Sequence, residues 1–397
     1  MNYLELCNRF ANNIRLHKKV LIEILCSVET RQAADDEIER SYNCLKNISK
    51  QDKFIVPNMI SSASSYLPMN QPLYSLILNA YVVKLVSKTV YYRPPEKQRI
   101  LHEKIFELFS SDLDGIIPCY ISRRKFFNLY ASEADAIIFT GKYENAMELR
   151  TLLKKTTVLI FNGSALNPVV VSDNADIEKS VIETINARLY NSGQDCMAPA
   201  AVFLHKNIQE AFLEKLLGRL SSVRVGDNKN SSTVVGSLID EKYFNENVAF
   251  IEKYKDYIIF GGKSDASKLL IEPTVFCFEK AVEELQQIIY APFFFIFEYQ
   301  KIETLYKYLN TSTAKLYRGY ISFFGTVGDS NNVIEAEYKI RVLRNGTLFD
   351  QEDGNEEFGG YGEGCSFVAH NGKVEVRPIL LLRDLHSIFG GMRNGTI

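Results

Sequence analysis

The sequence predicts an α/β fold with two units, each a largely parallel sheet covered by helices on both faces. Short apolar runs such as ADAIIFTG (134–141) alternate with helix-like stretches such as KYENAMELRTLL (142–153). This alternation is typical of parallel sheets, because a parallel connection needs a long crossover. The same rhythm resumes beyond residue 196, which predicts the second unit. The length of 397 residues also favours two or three domains over one.

The first half of the chain divides into helices and strands at clear signals. Residues 1–50 show helical periodicity with a charged outer face, and residues 51–66 have the Ser and Pro content of strand and loop. A helix is expected over 73–87. The strand that follows ends at Pro94-Pro95, because proline can continue neither a ladder nor a helix. Next come two buried strands and a helix, namely TTVLIF (156–161), NPVVVS (167–172) and DIEKSVIETINARLY (176–190).

The second half repeats the pattern. The run IIYAPFFFIF (288–297) contains a proline and has half the length of a membrane span, which indicates a buried strand. The glycine cluster FGGYGEG (358–364) precedes no helix and predicts a loop rather than a phosphate site. The other expected elements are AVFLH (201–205), QEAFLEKLLGRL (209–220), EKYFNENVAFIEKYKD (241–256) and YIIFGG (257–262).

Charge and cysteine content exclude several classes of protein. Lys and Arg total 46 against 48 Asp and Glu, so nothing favours a general nucleic-acid binder. The N-terminus lacks the uninterrupted apolar region of a signal peptide, and we expect a cytoplasmic protein without a membrane span. The seven cysteines form no CxxC and no Cys/His cluster, so a metal site is not expected. Their odd number also disfavours a disulfide framework.

One cysteine has the setting of a nucleophile. Cys196 ends NSGQDC (191–196), behind a Gly-Gln pair and before the apparent strand MAPAAVFL. A nucleophilic cysteine needs a tight turn, open space and nearby backbone N–H groups. A buried structural cysteine, the ordinary alternative, needs no such approach. The local sequence therefore favours a catalytic role.

Residues 158–216 resemble the core of the aldehyde dehydrogenase superfamily, and the resemblance extends from about residue 16 to 367. It implies a Rossmann-like dinucleotide-binding domain (1–162), a catalytic α/β domain (163–364) and a C-terminal strand and oligomerisation segment (365–397). The stretches that carry it outside the core are, in order, LPMNQPL (67–73), YYRPPE (91–96), FTG (139–141), VGSLID (235–240), IEPTVF (271–276), IIYAPF (288–293) and EEFGGYG (356–362).

The resemblance implies catalytic roles for three residues. Cys196 would attack an aldehyde and carry the acyl group as a thioester. Asn70 would donate its amide to the developing oxyanion, which is typically worth ~3 kcal/mol. The alternative for Asn70 is a helix N-cap before Pro72. Asn162 stands where the family has the glutamate that activates water. Because an asparagine cannot act as that base, CoA or a carrier thiol becomes a possible acyl acceptor, as in CoA-linked members that also lack this glutamate.

Five further residues match cofactor-binding positions of the superfamily. Arg93 and Glu96 fall where a lysine and a glutamate bind the adenosine ribose, and Glu96 would repel a 2′-phosphate. We therefore expect NAD rather than NADP. A solvated charge pair at a strand end is the equally weighted alternative. Thr140, Gly141 and Lys142 match the pyrophosphate turn, with Lys142 in place of a serine.

Other departures bear on assembly and activity. Ala146 replaces a pyrophosphate glycine, and Ile288 replaces the glutamate that orients the nicotinamide ribose. Only about twenty residues precede Asn70 after the first helices, which is too short for the family's oligomerisation hairpin. We expect an assembly smaller than a tetramer, possibly a homodimer joined through a strand in VEVRPILLLRDL (374–385). A catalytically degenerate scaffold or partner subunit is the alternative to an NAD(P)-dependent oxidoreductase.

Overall fold

Two seven-stranded sheets form the framework of the protein. The computed structural model describes residues 2–279, 285, 287–326 and 330–391. The strands are, in chain order, β1 (Ile60–Tyr66), β2 (Ser87–Arg93), β3 (Ile116–Pro118), β4 (Ala136–Thr140), β5 (Val158–Asn162), β6 (Val169–Val171), β7 (Val202–His205), β8 (Ile258–Phe260), β9 (Ser264–Asp265), β10 (Leu270–Ile271), β11 (Thr274–Phe278), β12 (Phe293–Tyr299), β13 (Tyr320–Phe324), β14 (Arg341–Arg344), β15 (Ser366–His370) and β16 (Lys373–Val376).

Helices cover both sheets, as the alternation in the sequence predicts. They are α1 (Tyr3–Leu16), α2 (Lys18–Leu25), α3 (Arg31–Lys46), α4 (Pro72–Leu76), α5 (Val82–Lys84), α6 (Arg99–Leu108), α7 (Arg123–Phe126), α8 (Tyr143–Leu152), α9 (Ile177–Leu189), α10 (Gln209–Leu220), α11 (Glu241–Lys253), α12 (Glu303–Leu309), α13 (Ser312–Leu316), α14 (Ser330–Tyr338) and α15 (Leu381–Phe389). A π-helical turn, Ile77–Tyr81, joins α4 to α5. No described helix is long and apolar enough to cross a membrane.

The first sheet has the strand order β16-β15-β5-β4-β1-β2-β3, and the five strands from β5 to β3 are parallel. The chain leaves β1 towards β2 on one side, whereas β4 continues to β5 on the other. This reversal opens a crevice at the carboxyl ends of β1 and β4, which is where α/β sheets bind ligands. The loops that follow these two strands contain Asn70 and Gly141.

The second sheet has the order β14-β13-β6-β7-β12-β11-β8, and only β8 is antiparallel to its neighbour. Its core is rich in phenylalanine, including Phe276, Phe293 and Phe295. The predicted buried strand within 288–297 is confirmed from Phe293 onward. Residues 281–284 and 286, just upstream, lie outside the described part of the chain. The predicted α/β class is confirmed for both sheets.

The C-terminal segment differs from the prediction. β15 pairs antiparallel with β5, and β16 pairs with β15, so these strands extend the first sheet of the same chain. VEVRPILLLRDL is strand only as far as Val376, and Leu381–Phe389 is a helix. The reason is spacing, because Leu382 and Leu385 lie on one helical face and are fully buried in the first core. Between α3 and β1 the chain forms only the 3-10 segment Ile48–Phe54.

Candidate active site

The NSGQDC stretch forms a turn with three consecutive left-handed residues. Asn191, Ser192 and Gly193 all have left-handed backbone angles, with φ of 44°, 60° and 77°. A Cβ atom on Gly193 would lie 2.2 Å from the backbone oxygen of Ala291, so only glycine fits there. The Ser192 hydroxyl accepts a hydrogen bond from the Gly236 N–H at 2.8 Å. Ala291 and Gly236 both belong to the second unit, so contacts with this unit hold the turn in place.

Cys196 lies shortly after this turn and lines a cleft that is partly open to solvent. Asn70, Thr140 and Asn162 line the same cleft. They come from the loop after β1, the end of β4 and the end of β5. The parallel strands bring these distant residues to one edge of the first sheet, facing the loop that carries Cys196.

The thiol of Cys196 is partly exposed but lies in an electrostatically unfavourable environment. Burial raises its pKa well above the usual range, and the nearby carboxylates of Asp195 and Glu352 raise it further. Its own backbone N–H opposes this effect by hydrogen bonding to sulfur. The backbone oxygen of Cys196 accepts a hydrogen bond from the Asn167 amide at 3.1 Å. Burial and the two carboxylates therefore disfavour the thiolate form of Cys196, which is the nucleophilic form of a cysteine.

Asn70 lies in a loop that is tied to the cysteine loop. The loop begins with a hydrogen bond from the Leu67 N–H to the Arg93 oxygen at 3.1 Å. Gln71 adopts a left-handed backbone angle, φ 53°, and its amide Nε2 donates to Asp195 Oδ2 at 2.9 Å. The Asn70 side chain has no hydrogen-bond partner among the described residues and lines the cleft. It is therefore available as a donor to a ligand.

Asn162 occupies the last position of β5, between Thr140 of β4 and Ser366 of β15. Its backbone oxygen accepts a hydrogen bond from the Gly141 N–H at 3.0 Å. Its side-chain Oδ1 is buried and has no partner in the described structure. The position faces the same cleft as Cys196, with an amide in place of a titratable group.

A second groove adjoins the first sheet. Gly141 and Lys142 line one wall, and Tyr243 and Asn247 of α11 line the other. The Lys142 ammonium lies 5.3 Å from the centre of the Tyr243 ring, a cation–π contact. Thr140 lines the cysteine cleft instead. The sequence-predicted pyrophosphate turn is thus divided between two cavities.

The floor of this groove is formed by the segment that contains Ile288. The hydroxyl of Tyr290 forms a short hydrogen bond with the Ser164 hydroxyl. Arg188 is buried without an acidic partner among the described residues, and its Nη2 donates to the backbone oxygens of Ile289, at 2.8 Å, and Ala291. A buried guanidinium thus fixes the segment through carbonyl groups alone. This contact fixes the backbone near Cys196.

Arg93 and Glu96 line neither of these two cavities. Arg93 is half-buried, and its Nε donates to the Ile121 oxygen at 2.9 Å, while burial lowers its pKa. Glu96 is exposed at the start of the 3-10 turn Glu96–Gln98. Both residues lie at the carboxyl end of β2, next to β1, so they flank the crevice rather than enter it.

Comparison with known proteins decides the family. A model described as "Aldehyde dehydrogenase family" matches residues 5–362. The chain belongs to the aldehyde dehydrogenase family. Aldehyde dehydrogenase 1 of Tanacetum cinerariifolium is 25% identical over 340 residues, which are 80% of this chain and 65% of that protein. The chain thus spans less than two thirds of that relative's length.

Solved structures share the fold of this aldehyde dehydrogenase family member. The Escherichia coli enzyme described as NADP dependent superposes with a TM-score of 0.82 at 16% identity, covering 96% of this chain and 86% of that one. PnpE in complex with nicotinamide adenine dinucleotide gives 0.81 at 18% identity, with 95% and 84% covered. At this identity the similarity shows the fold, and this chain is the shorter one.

Sequence reasoning missed several residues of the site. Gln71 and Asp195 lie inside the two recognised motifs, yet their hydrogen bond joins positions 124 residues apart. Glu352 lies in a stretch that matches no landmark of the family. The acidic stretch QEDGNEE (351–357), just before the glycine cluster, is the sequence feature that could have indicated Glu352.

Proposed function

We propose that the protein oxidises an aldehyde with a nicotinamide dinucleotide, through an acyl thioester on Cys196, and transfers the acyl group to a thiol such as CoA. The observation that carries this proposal is that Cys196, Asn70 and Asn162 line one cleft, beside the groove of Gly141 and Lys142. Family membership supports the oxidoreductase class.

The groove fits a dinucleotide. It lies at the crevice of a Rossmann-like sheet, where such cofactors bind. Lys142 would contact the pyrophosphate as a point charge. Gly141 would let the backbone approach, since even a Cβ there would lie 3.2 Å from the Phe139 ring. Glu96, near the end of β2, favours NAD over NADP by repelling a 2′-phosphate. A nicotinamide dinucleotide held by these residues would supply the hydride acceptor for the oxidation of the aldehyde.

Residues of this chain carry out the carbon–sulfur chemistry. The Cys196 thiol releases its proton to solvent water in the open cleft, and its sulfur forms a bond to the carbonyl carbon while the π-electron pair moves to oxygen. The Asn70 amide and the Cys196 backbone N–H donate to that oxyanion, where such donors stabilise developing charge. The ordered turn and the Gln71–Asp195 bond hold the two loops in register for this contact.

Asn162 determines how the thioester is resolved. Hydrolysis needs a base to deprotonate water, and an asparagine amide cannot accept that proton. A thiol ionises far more readily than water, so it attacks the thioester carbon without a protein base and releases the Cys196 thiolate. The acyl group therefore leaves as a new thioester.

A second candidate is a non-catalytic member of the family. The observation that favours it is the thiol of Cys196, whose pKa is raised by burial and by two carboxylates. A protein of this kind would keep the fold as a partner subunit. Calorimetry separates the two candidates, because binding of NAD is expected only for the enzyme.

The decisive experiment follows aldehyde-dependent NADH formation with and without CoA. Wild-type turnover should accelerate with CoA, and Asn162→Glu should gain CoA-independent turnover. Release of free acid by the wild type at full rate without any thiol would contradict acyl transfer. The matched control is Asn207→Asp, which places a new carboxylate at an exposed asparagine outside the cleft and should gain no hydrolysis.

A further inference from the structure

Four carboxylates contribute to the cleft around Cys196, whose exposed lining is otherwise mostly apolar. Asp195, Glu352, Asp353 and Glu356 contribute to its walls, and no Lys, Arg or His occurs among the described residues that line it. Three of the four acids belong to one short stretch between β14 and β15. The chemistry of this wall is therefore set by a segment outside the catalytic motifs.

Cations behind the wall compensate only part of this charge. The Arg40 guanidinium donates to Glu352 at 2.5 Å. The Lys50 ammonium contacts Asp353 at 2.6 Å and lies 3.9 Å from Glu356. These two cations face four carboxylates.

Asp195 has only neutral hydrogen-bond donors. It accepts from the Gln71 amide at 2.9 Å and from the Met197 N–H at 2.8 Å. The Glu356 carboxylate is 65% exposed, and among the described residues it pairs with the Lys50 ammonium at 3.9 Å, a cation that already binds Asp353. The cleft consequently carries excess negative charge when its acids are ionised.

An unused acceptor lines the same cleft. Gln51 is 1% exposed, and its Nε2 donates to Asn355 Oδ1 at 2.9 Å. The Asn355 amide in turn donates to the Cys44 oxygen at 3.0 Å, which fixes the orientation of both amides. The Gln51 Oε1 atom is left buried without a partner. An unpaired buried acceptor is costly and favours a ligand that brings an N–H donor.

We propose that this cleft selects aldehydes whose far end carries a primary or secondary ammonium group, recognised by Asp353 and Glu356 and by the Gln51 acceptor. The inference rests on the proposed aldehyde oxidation and adds the substrate class. A quaternary ammonium has no N–H to donate and is usually bound by aromatic faces. The aromatic residues of this cleft are Tyr74 and Phe358, and the chain contains no Trp.

Turnover of three aldehydes of equal length tests the proposal. An ω-aminoaldehyde should have a kcat/KM at least about tenfold above the neutral alkyl aldehyde, and an ω-carboxy aldehyde should be poorer than both. In Asp353→Asn/Glu356→Gln the ratio of kcat/KM for the amine to kcat/KM for the neutral aldehyde should fall to about one. Glu375→Gln, which removes an exposed carboxylate of β16, is the control and should keep the preference. Equal kcat/KM for amine and neutral aldehyde in the wild type would overturn the proposal.

A binding measurement separates this proposal from the proposed function. Calorimetry compares an ω-amino alcohol with the neutral alcohol of the same length, because neither is an aldehyde. The wild type should bind the amino alcohol at least about tenfold more tightly, and the double variant should not. If this preference appears while no aldehyde is oxidised, the proposed function fails and the ligand class stands. Equal binding, or binding of neither alcohol, would refute the ligand class.

Discussion

The Gln71 amide donates to Asp195 Oδ2 at 2.9 Å and thereby joins the two loops that carry Asn70 and Cys196. One loop follows β1 of the first sheet, and the other precedes β7 of the second sheet. Asp195 is buried, and burial raises its pKa to about 6. The Gln71 amide thus supplies one of the hydrogen bonds that the Asp195 carboxylate, next to the Cys196 thiol, requires. The donor and the carboxylate belong to different halves of the protein.

Replacing Gln71 should weaken both stability and catalysis. Gln71→Leu leaves one oxygen of buried Asp195 unpaired, which should lower the free energy of unfolding by ~1–3 kcal/mol. It should also lower kcat of aldehyde oxidation, because the loops that carry Asn70 and Cys196 are then no longer joined by a hydrogen bond. Denaturant titration and steady-state kinetics measure the two effects. Gln209→Leu, at a half-buried glutamine that contacts Cys277 rather than the cleft, should leave kcat unchanged.

Removing the Cys196 thiol should abolish acyl transfer. Cys196→Ala lacks the sulfur that forms the thioester, so aldehyde-dependent NADH formation should fall to background. Mass spectrometry of the wild type, incubated with aldehyde and NAD, should find the acyl adduct on the peptide that contains Cys196. Cys277→Ala, at another half-exposed cysteine, should remain active. Unchanged turnover in Cys196→Ala would exclude the nucleophile assigned here.

The turn before Cys196 should not tolerate a side chain at Gly193. Gly193→Ala places a Cβ 2.2 Å from the Ala291 oxygen at φ 77°. Strain of this kind is expected to cost ~1–3 kcal/mol or more, measured as the free energy of unfolding. The control is Gly218→Ala, because Gly218 lies exposed in α10 with open space around its Cβ position. That change should stabilise the protein by ~0.5–1 kcal/mol.

Stability should fall as the pH rises from about 4.5 to 7 because of a buried acid pair. Burial raises the pKa of Glu37 to about 7 and that of Glu29 well above its usual range. A raised carboxyl pKa means that the folded state binds protons more tightly than the unfolded state. This contribution is therefore present below about pH 4.5 and is lost as the pH rises through the folded pKa.

A neutral side chain at position 29 should reduce this dependence. In Glu29→Gln the melting temperature should fall less steeply with rising pH than in the wild type, since one of the two titrating groups is gone. Glu39→Gln, on α3 with Glu37, is the control, because the half-exposed Glu39 carboxylate binds Arg15 and Lys18. Its slope should match that of the wild type. An unchanged slope in Glu29→Gln would exclude the buried pair as the cause.

Local sequence was sufficient to predict the strand–helix alternation and the tight turn before Cys196. Hydrophobic periodicity and the Asn-Ser-Gly run reflect short-range backbone preferences for strands, helices and turns, and the folded chain adopts these conformations. The C-terminal helix was missed because Pro378 and the apolar run after it were attributed to a strand. There, helical spacing of buried leucines was the stronger signal.

The sequence by itself determined the α/β class, the order of motifs and the residues that were candidates for the site. The tertiary structure decided which of these meet, since Cys196, Asn70 and Asn162 share a cleft while Arg93 and Glu96 lie outside it. It also decided the charge of that cleft, because carboxylates from a distant stretch are brought beside the thiol. Contacts between residues more than a hundred positions apart depend on strand order and loop closure, and local sequence patterns predict neither.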